Sequence, residues 1–130
     1  MVKFGIEAMS DALAKELTPL GINVTVVAPG AFQTNFRGPN SIKQSATRID
    51  DYAGTAGKSR AGTQAGHGKQ AGDPVRGALA IIQAVEAERP PVHLLIGGDA
   101  LDQLRRKLEE MRRETDAWEQ VTRSTDLPEA

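Results

Sequence analysis

The sequence predicts an α/β protein built on a parallel sheet that is incomplete within its 130 residues. Three observations predict it. The run Ile22–Ala28 is apolar on both alternating faces except at Asn23 and Thr25, as strands covered on two sides in parallel sheets are. A second short apolar run, Val92–Ile96, follows a helical pattern, which makes the strand–crossover–strand unit of a parallel sheet. The full order is helix, strand, long loop, helix, strand, helix. Two short strands cannot cover three amphipathic helices, and a strand as apolar as Ile22–Ala28 requires a neighbour on each edge. One sheet edge is therefore expected to lack its partner strand.

The first helix is expected over Phe4–Leu17, with Ile6, Met9, Leu13 and Leu17 on one face. Pro19 stops it and Gly21 starts the turn into the first strand. Pro29-Gly30 ends that strand abruptly. Residues 31–72 are rich in Gly, Ala and small polar residues and show no sustained period, although Ile42–Tyr52 could hold a short helix. A connection of this length inside a compact domain is expected to be a binding loop or a mobile one. Asp73 then caps a helix whose first position is Pro74, where the missing N–H costs nothing. Val75, Leu79, Ile82 and Val85 form its apolar stripe, and it ends near Glu88 before Pro90-Pro91. Gly97-Gly98 closes the second strand, and Asp99 is expected to cap the last helix. Leu101, Leu104, Leu108 and Met111 make a narrow stripe there among charges of both signs. Trp118 and Val121 are expected to pin the tail onto the body.

Composition narrows the function classes. Hydrophobic residues make up 39% and charged residues 25%, with a formal net charge of −1. That is a soluble, globular balance with no general attraction to nucleic acid or an anionic membrane. The absence of cysteine excludes disulfides, thiol catalysis and Cys-based metal sites, and suits a reducing cytoplasm. No apolar run approaches the ~20 residues of a membrane span, and the first residues lack a signal-peptide pattern. The expectation is a cytoplasmic protein with neither nucleic-acid nor membrane partners.

Several patterns compete for chemistry. The stretch VAPGAFQTNF ends a buried strand in Pro29-Gly30 and places Thr34 four residues on. Ligands of open α/β sheets bind at such strand ends, where a tight turn brings backbone close and a threonine hydroxyl both donates and accepts. A plain turn remains the bland alternative. Gly66–Ala71 fits G-x-G-x-x-A but follows no strand, and Gly57–Ser59 lacks the leading glycine of a phosphate loop because Tyr52 stands there. His67 and His93 are isolated, with no carboxylate cluster to make a metal site.

Read in order, the segment KFGIEAMSDALAKELTPLGINVTVVAPGAFQTNF closely resembles the short-chain dehydrogenase/reductase family. In that family a Tyr-x-x-x-Lys motif opens a helix, followed by Gly-Ile-x-Val and Pro-Gly-x-x-x-Thr. The resemblance continues through GKQAGDPVRGALAII, VHLLIGGDA and DAWEQVTRSTD, and so covers residues 1–130 as the C-terminal half of that domain. It implies the C-terminal part of a Rossmann-like, doubly wound parallel sheet. It implies NAD or NADP as cofactor, an alcohol/carbonyl pair as substrate, and a homo-oligomer.

By the same resemblance Lys3 is the catalytic lysine, lowering the pKa of a tyrosine and binding the nicotinamide ribose. A fixed cation beside a phenol favours phenolate, and acid–base work requires a pKa near ambient pH. Without the match, Lys3 would read as an exposed lysine at a frayed terminus. Pro29, Gly30, Ala31, Phe32 and Thr34 would hold the nicotinamide end, and Phe36 with the 31–72 loop would shape the substrate pocket. The family's tyrosine falls four positions before Lys3, ahead of Met1, and its serine and glycine-rich loop would lie earlier still. The chain is therefore expected to be a truncated oxidoreductase, inactive alone. The alternative is a non-catalytic fragment that acts only by self-association or partner binding. The first helix's Ile6/Met9/Leu13 face reads either as core or as a contact with a second subunit.

Overall fold

The computed structural model describes residues 2–38, 40–43 and 45–127. Helix α1 spans Val2–Leu17. A single 3₁₀ turn over Thr18–Leu20, with Pro19 in its first positions, leads to Gly21 in the left-handed region. Strand β1 is Val26–Pro29 and strand β2 is His93–Ile96. They pair in parallel, with Val26 opposite His93 and Pro29 opposite Ile96. Helix α2 (Lys58–Ala65), helix α3 (Pro74–Val85) and helix α4 (Gly98–Arg123) complete the chain.

β1 is shorter than the apolar run that announces it. Among the described residues only β2 lies beside it, and residues 22–25 have no ladder partner there. The Val26 N–H still reaches the Val92 carbonyl at 2.7 Å, and the Thr25 hydroxyl donates to the Pro91 carbonyl. Pro29 is tolerated because it is the strand's last residue and needs no ladder donor. The helical part of the 31–72 region also lies later than expected. A 3₁₀ turn over Asp50–Tyr52 runs through a wide turn at Ala53–Gly57 into α2, whereas residues 45–49 are irregular.

The N-terminus of α3 forms as its sequence requires. Asp73 accepts from the Val75 and Arg76 N–H groups at 2.8 and 3.3 Å, with Pro74 next in the chain. Its packed face differs from the expected stripe. Gly77 and Ala84 are buried and Ala80 and Ile81 half-buried, while Val75, Leu79, Ile82 and Val85 face outward. α3 is apolar almost all round, so hydropathy alone does not choose its face; small side chains allow the helix to approach the sheet closely. The same holds on α1, where Ser10 and Ala14 are buried and Met9 is exposed.

Two further expectations are corrected at α4. Its cap is Gly97, at φ +98°, a conformation that glycine adopts without steric cost. Asp99 lies inside the first turn and its carboxylate turns toward β1 instead. Trp118 and Val121 remain 65% and 54% exposed, so they do not pin the tail. Among the described residues only Ala14 and Ala84 form a buried apolar core. That matches the expectation of too few strands for the helices.

Candidate active site

The carboxyl end of β1 opens into a cleft of about 820 Å³. Lys3, Pro29, Gly30, Ala31, Phe32, Thr34 and Phe36, the seven residues singled out from sequence, all line it. Lys3 reaches it from the first turn of α1, one turn before Glu7, which lines it too. The remaining walls include Arg37, Pro74, Gly77 and Ile96.

Backbone hydrogen bonds fix the strand end. Gly30 N–H donates to the Ile96 carbonyl at 2.8 Å, which extends the ladder one step beyond β1. Ala31 N–H donates to Asp99 Oδ2 at 2.7 Å. Gly72 N–H then donates to the Ala31 carbonyl, and Gln33 N–H to the Gly72 carbonyl, closing a parallel bridge between Phe32 and Gly72. In such a bridge the Phe32 N–H points to the side opposite Gly72, and none of the described hydrogen bonds uses it.

Glycines make room for this arrangement. A Cβ on Gly30 would overlap the Asp99 carboxylate. One on Gly72 would lie 2.8 Å from the Phe32 ring, and one on Gly77 2.7 Å from it. The Phe32 side chain is therefore an anchor packed against the Gly77 turn of α3, and its main chain is the part left for a ligand. Thr34 Oγ1 accepts from Phe36 N–H at 3.3 Å, capping a short turn over Asn35–Arg37 and leaving its own proton to donate. Phe36 is 80% exposed at the rim.

Gly77 lines the cleft and Asp99 braces its edge through Ala31, and neither was singled out as a site residue from sequence; Arg37 and Gly72 fall within the 31–72 loop expected to shape the pocket. Asp99 carries a helix-cap signature, which hides a contact 68 positions away. Gly77 sits in a helical pattern, where an isolated glycine signals close approach without naming the neighbour. Tyr52, the only tyrosine, lines a separate cleft of about 400 Å³ with Arg48 and Arg60. His93 joins β2 to α1, its Nε2 lying 2.8 Å from Asp11 and its Nδ1 3.3 Å from Glu7. Among the described residues no group of three acidic or histidine side chains could hold a metal, and no helix is long and apolar enough to cross a membrane.

The fold is part of a Rossmann-like parallel sheet, and comparison with known proteins defines its relationships. A short-chain dehydrogenase from Streptomyces avermitilis superposes with a TM-score of 0.78 and 38% identity, over 94% of this chain and 43% of that one. Oxidoreductase BOA17 of Botryotinia fuckeliana is 26% identical over 92% of this chain and 43% of its own length. The mitochondrial D-beta-hydroxybutyrate dehydrogenase of Mus musculus is 45% identical over 53 residues, 39% of this chain and 16% of its own. No family model matches. The chain is related to the short-chain dehydrogenase/reductase family, and it spans less than half the length of these relatives.

Proposed function

We propose that these 130 residues form the nicotinamide side of an NAD- or NADP-dependent oxidoreductase acting on an alcohol/carbonyl pair. One observation carries the reading. The seven residues that the family resemblance singles out line one cleft at a strand end, although Lys3 is separated from Phe36 by a helix and a strand. The donor set fits a nicotinamide carboxamide and ribose: an N–H on Phe32, a hydroxyl on Thr34 and an ammonium on Lys3. When bound, the nicotinamide supplies or accepts the hydride. Pro29, Gly30 and Ala31 hold the backbone that orients it, and Lys3 holds a positive charge beside the proton-transfer group. Phe36 and the 31–72 region bound the substrate pocket.

Tyr52 does not line the Lys3 cleft, so the proton donor is assigned to residues outside these 130. Taken alone, the 130-residue chain is not expected to catalyse; loss of an acid–base group costs roughly 10²–10⁴ in rate. The complete enzyme is read as a cytoplasmic homo-oligomer.

The test is to read the DNA upstream of Met1 in frame and to express any continuous reading frame found there. A tyrosine codon four positions before Lys3 should accompany NADH- or NADPH-dependent activity, with Lys3→Ala lowering kcat/KM by roughly 10²–10⁴. Activity unchanged by both Lys3→Ala and Thr34→Val would overturn the reading. The second reading, a partner-binding fragment, is favoured by the small buried core. An in-frame stop directly upstream, together with a chain that binds neither cofactor, would select it.

A further inference from the structure

We infer that Arg37 receives a carboxylate of the substrate, so that the alcohol/carbonyl pair is carried by an acid. The inference rests on the nicotinamide reading of the cleft and adds the substrate class to it. The turn over Asn35–Arg37 inverts the usual order of burial. Phe36 is 80% exposed at the rim, whereas Arg37 is half-buried and lines the cleft. A guanidinium keeps its charge at any working pH. Turning it inward costs hydration, which an anion in the cleft restores.

Among the described residues Arg37 has no acidic partner within ion-pair distance. The one acid that lines the cleft is Glu7, and its carboxylate lies 3.3 Å from His93 Nδ1. Backbone holds the guanidinium in place. A Cβ on Gly66 would stand 3.4 Å from Arg37 Nη1 and 3.2 Å from the Gly62 carbonyl, so the guanidinium sits against the carboxyl end of α2. The partial negative charge there steadies a cation without neutralising it. Gln33 Nε2 donates to the Gly68 carbonyl at 2.8 Å and ties the same segment to the cleft wall. Position then favours the substrate over the cofactor as the source of the anion. Lys3, the Phe32 N–H and Thr34 are the donors read as holding the nicotinamide end. Arg37 lies in the turn that Thr34 caps, three residues on and next to Phe36. Three residues of chain reach at most ~11 Å, so its anion lies close to the nicotinamide, on the rim side given to the substrate. Ile6, Ile81 and Ile96 supply apolar wall for a carbon chain, and one planar fork binds a carboxylate bidentately. The substrate class is a keto or hydroxy carboxylate with an apolar body.

The probes are levulinate, its methyl ester and inorganic pyrophosphate, the last standing in for the cofactor's diphosphate. The first measurement needs neither cofactor nor turnover. In NMR of the nitrogen-labelled 130-residue chain, the Arg37 side-chain Nε–H should shift saturably with levulinate and far less with the ester or pyrophosphate. Read at the Thr34 and Phe36 amides, Arg37→Lys should weaken levulinate binding and Arg37→Gln should abolish it. An equal response to acid and ester, a larger response to pyrophosphate, or none would each overturn the proposal. In any longer reading frame with NADH- or NADPH-dependent activity, Arg37→Gln should raise KM for the keto acid roughly tenfold to a hundredfold with kcat little changed. The preference for acid over ester should fall by the same factor. Activity whose acid preference survives Arg37→Gln would overturn the carboxylate site and leave the nicotinamide reading standing. Carboxylate binding at Arg37 in a protein whose full frame transfers no hydride would do the reverse.

Discussion

The carboxylate of Asp99, in the first turn of α4, accepts the N–H of Ala31 at 2.7 Å and joins two segments that meet nowhere in sequence. It stands where any side chain on Gly30 would have to go. The end of β1 is therefore held from two sides, by Ile96 through the ladder and by Asp99 through the helix. Asp99→Ala should cost about 0.5–1.5 kcal/mol, the net value of such a bond at an exposed site. Asp99→Asn, which keeps an acceptor oxygen, should recover most of it. Urea denaturation gives the stability, and hydrogen exchange at the Ala31 amide shows whether that bond is the one lost.

Gly77 and Phe32 form the second constraint on the site. A methyl group at position 77 would meet the phenyl ring at 2.7 Å, so Gly77→Ala should destabilise the chain by about 1–3 kcal/mol through overpacking. Phe32→Leu in the same chain removes the ring edge and should return part of the loss. A smaller thermal shift in the double variant than in Gly77→Ala checks the contact. Equal shifts would mean that the ring and the glycine act independently.

His93 sits between Glu7 and Asp11 with 43% of its side chain exposed. Exposed ion pairs are screened and entropically costly, so the coupling between His93 and Asp11 in a double-mutant cycle should stay below about 1 kcal/mol. It should fall further in high salt. A larger, salt-insensitive coupling would show that this contact, and not the packing of Ser10 and Ala14, fixes α1.

On α4 the Lys107 ammonium donates to Glu110 Oε2 at 2.9 Å. That hydrogen bond, and then the charge of Lys107, hold the Glu110 carboxyl below its ordinary pKa. The reciprocal contact raises Lys107. For a depressed carboxylate, the stabilising contribution is present above the unfolded pKa and is lost as pH falls through the folded one. NMR titration should find Glu110 titrating below an ordinary glutamate, and Lys107→Ala should return it. Both side chains are more than half exposed, so the helix should melt with little dependence on this pair.

Much of the architecture was legible because it is written locally. Asp73-Pro74 marks the start of α3 and Pro29-Gly30 the end of β1, and the resemblance carried by residues 3–36 points to the family. What was not legible depends on competition between faces or on distant partners. The outward turn of Val75, Leu79, Ile82 and Val85 follows from the small residues opposite them, which approach the sheet more closely. Helix α2 forms in a segment without apolar period, so hydropathy gave no sign of it.

By itself the sequence determined the order of α1, β1, α3, β2 and α4 and the paucity of strands, and its family resemblance named the candidate site residues. Backbone propensity, capping and hydrophobic period are properties of neighbours along the chain. Only the tertiary structure decided that Lys3 and Phe36 line one cleft, that Asp99 serves Ala31 instead of capping its own helix, and that the Phe32 ring is an anchor against Gly72 and Gly77. Those are contacts between segments up to 68 positions apart, made where backbone donors and close-packed rings must find partners in space.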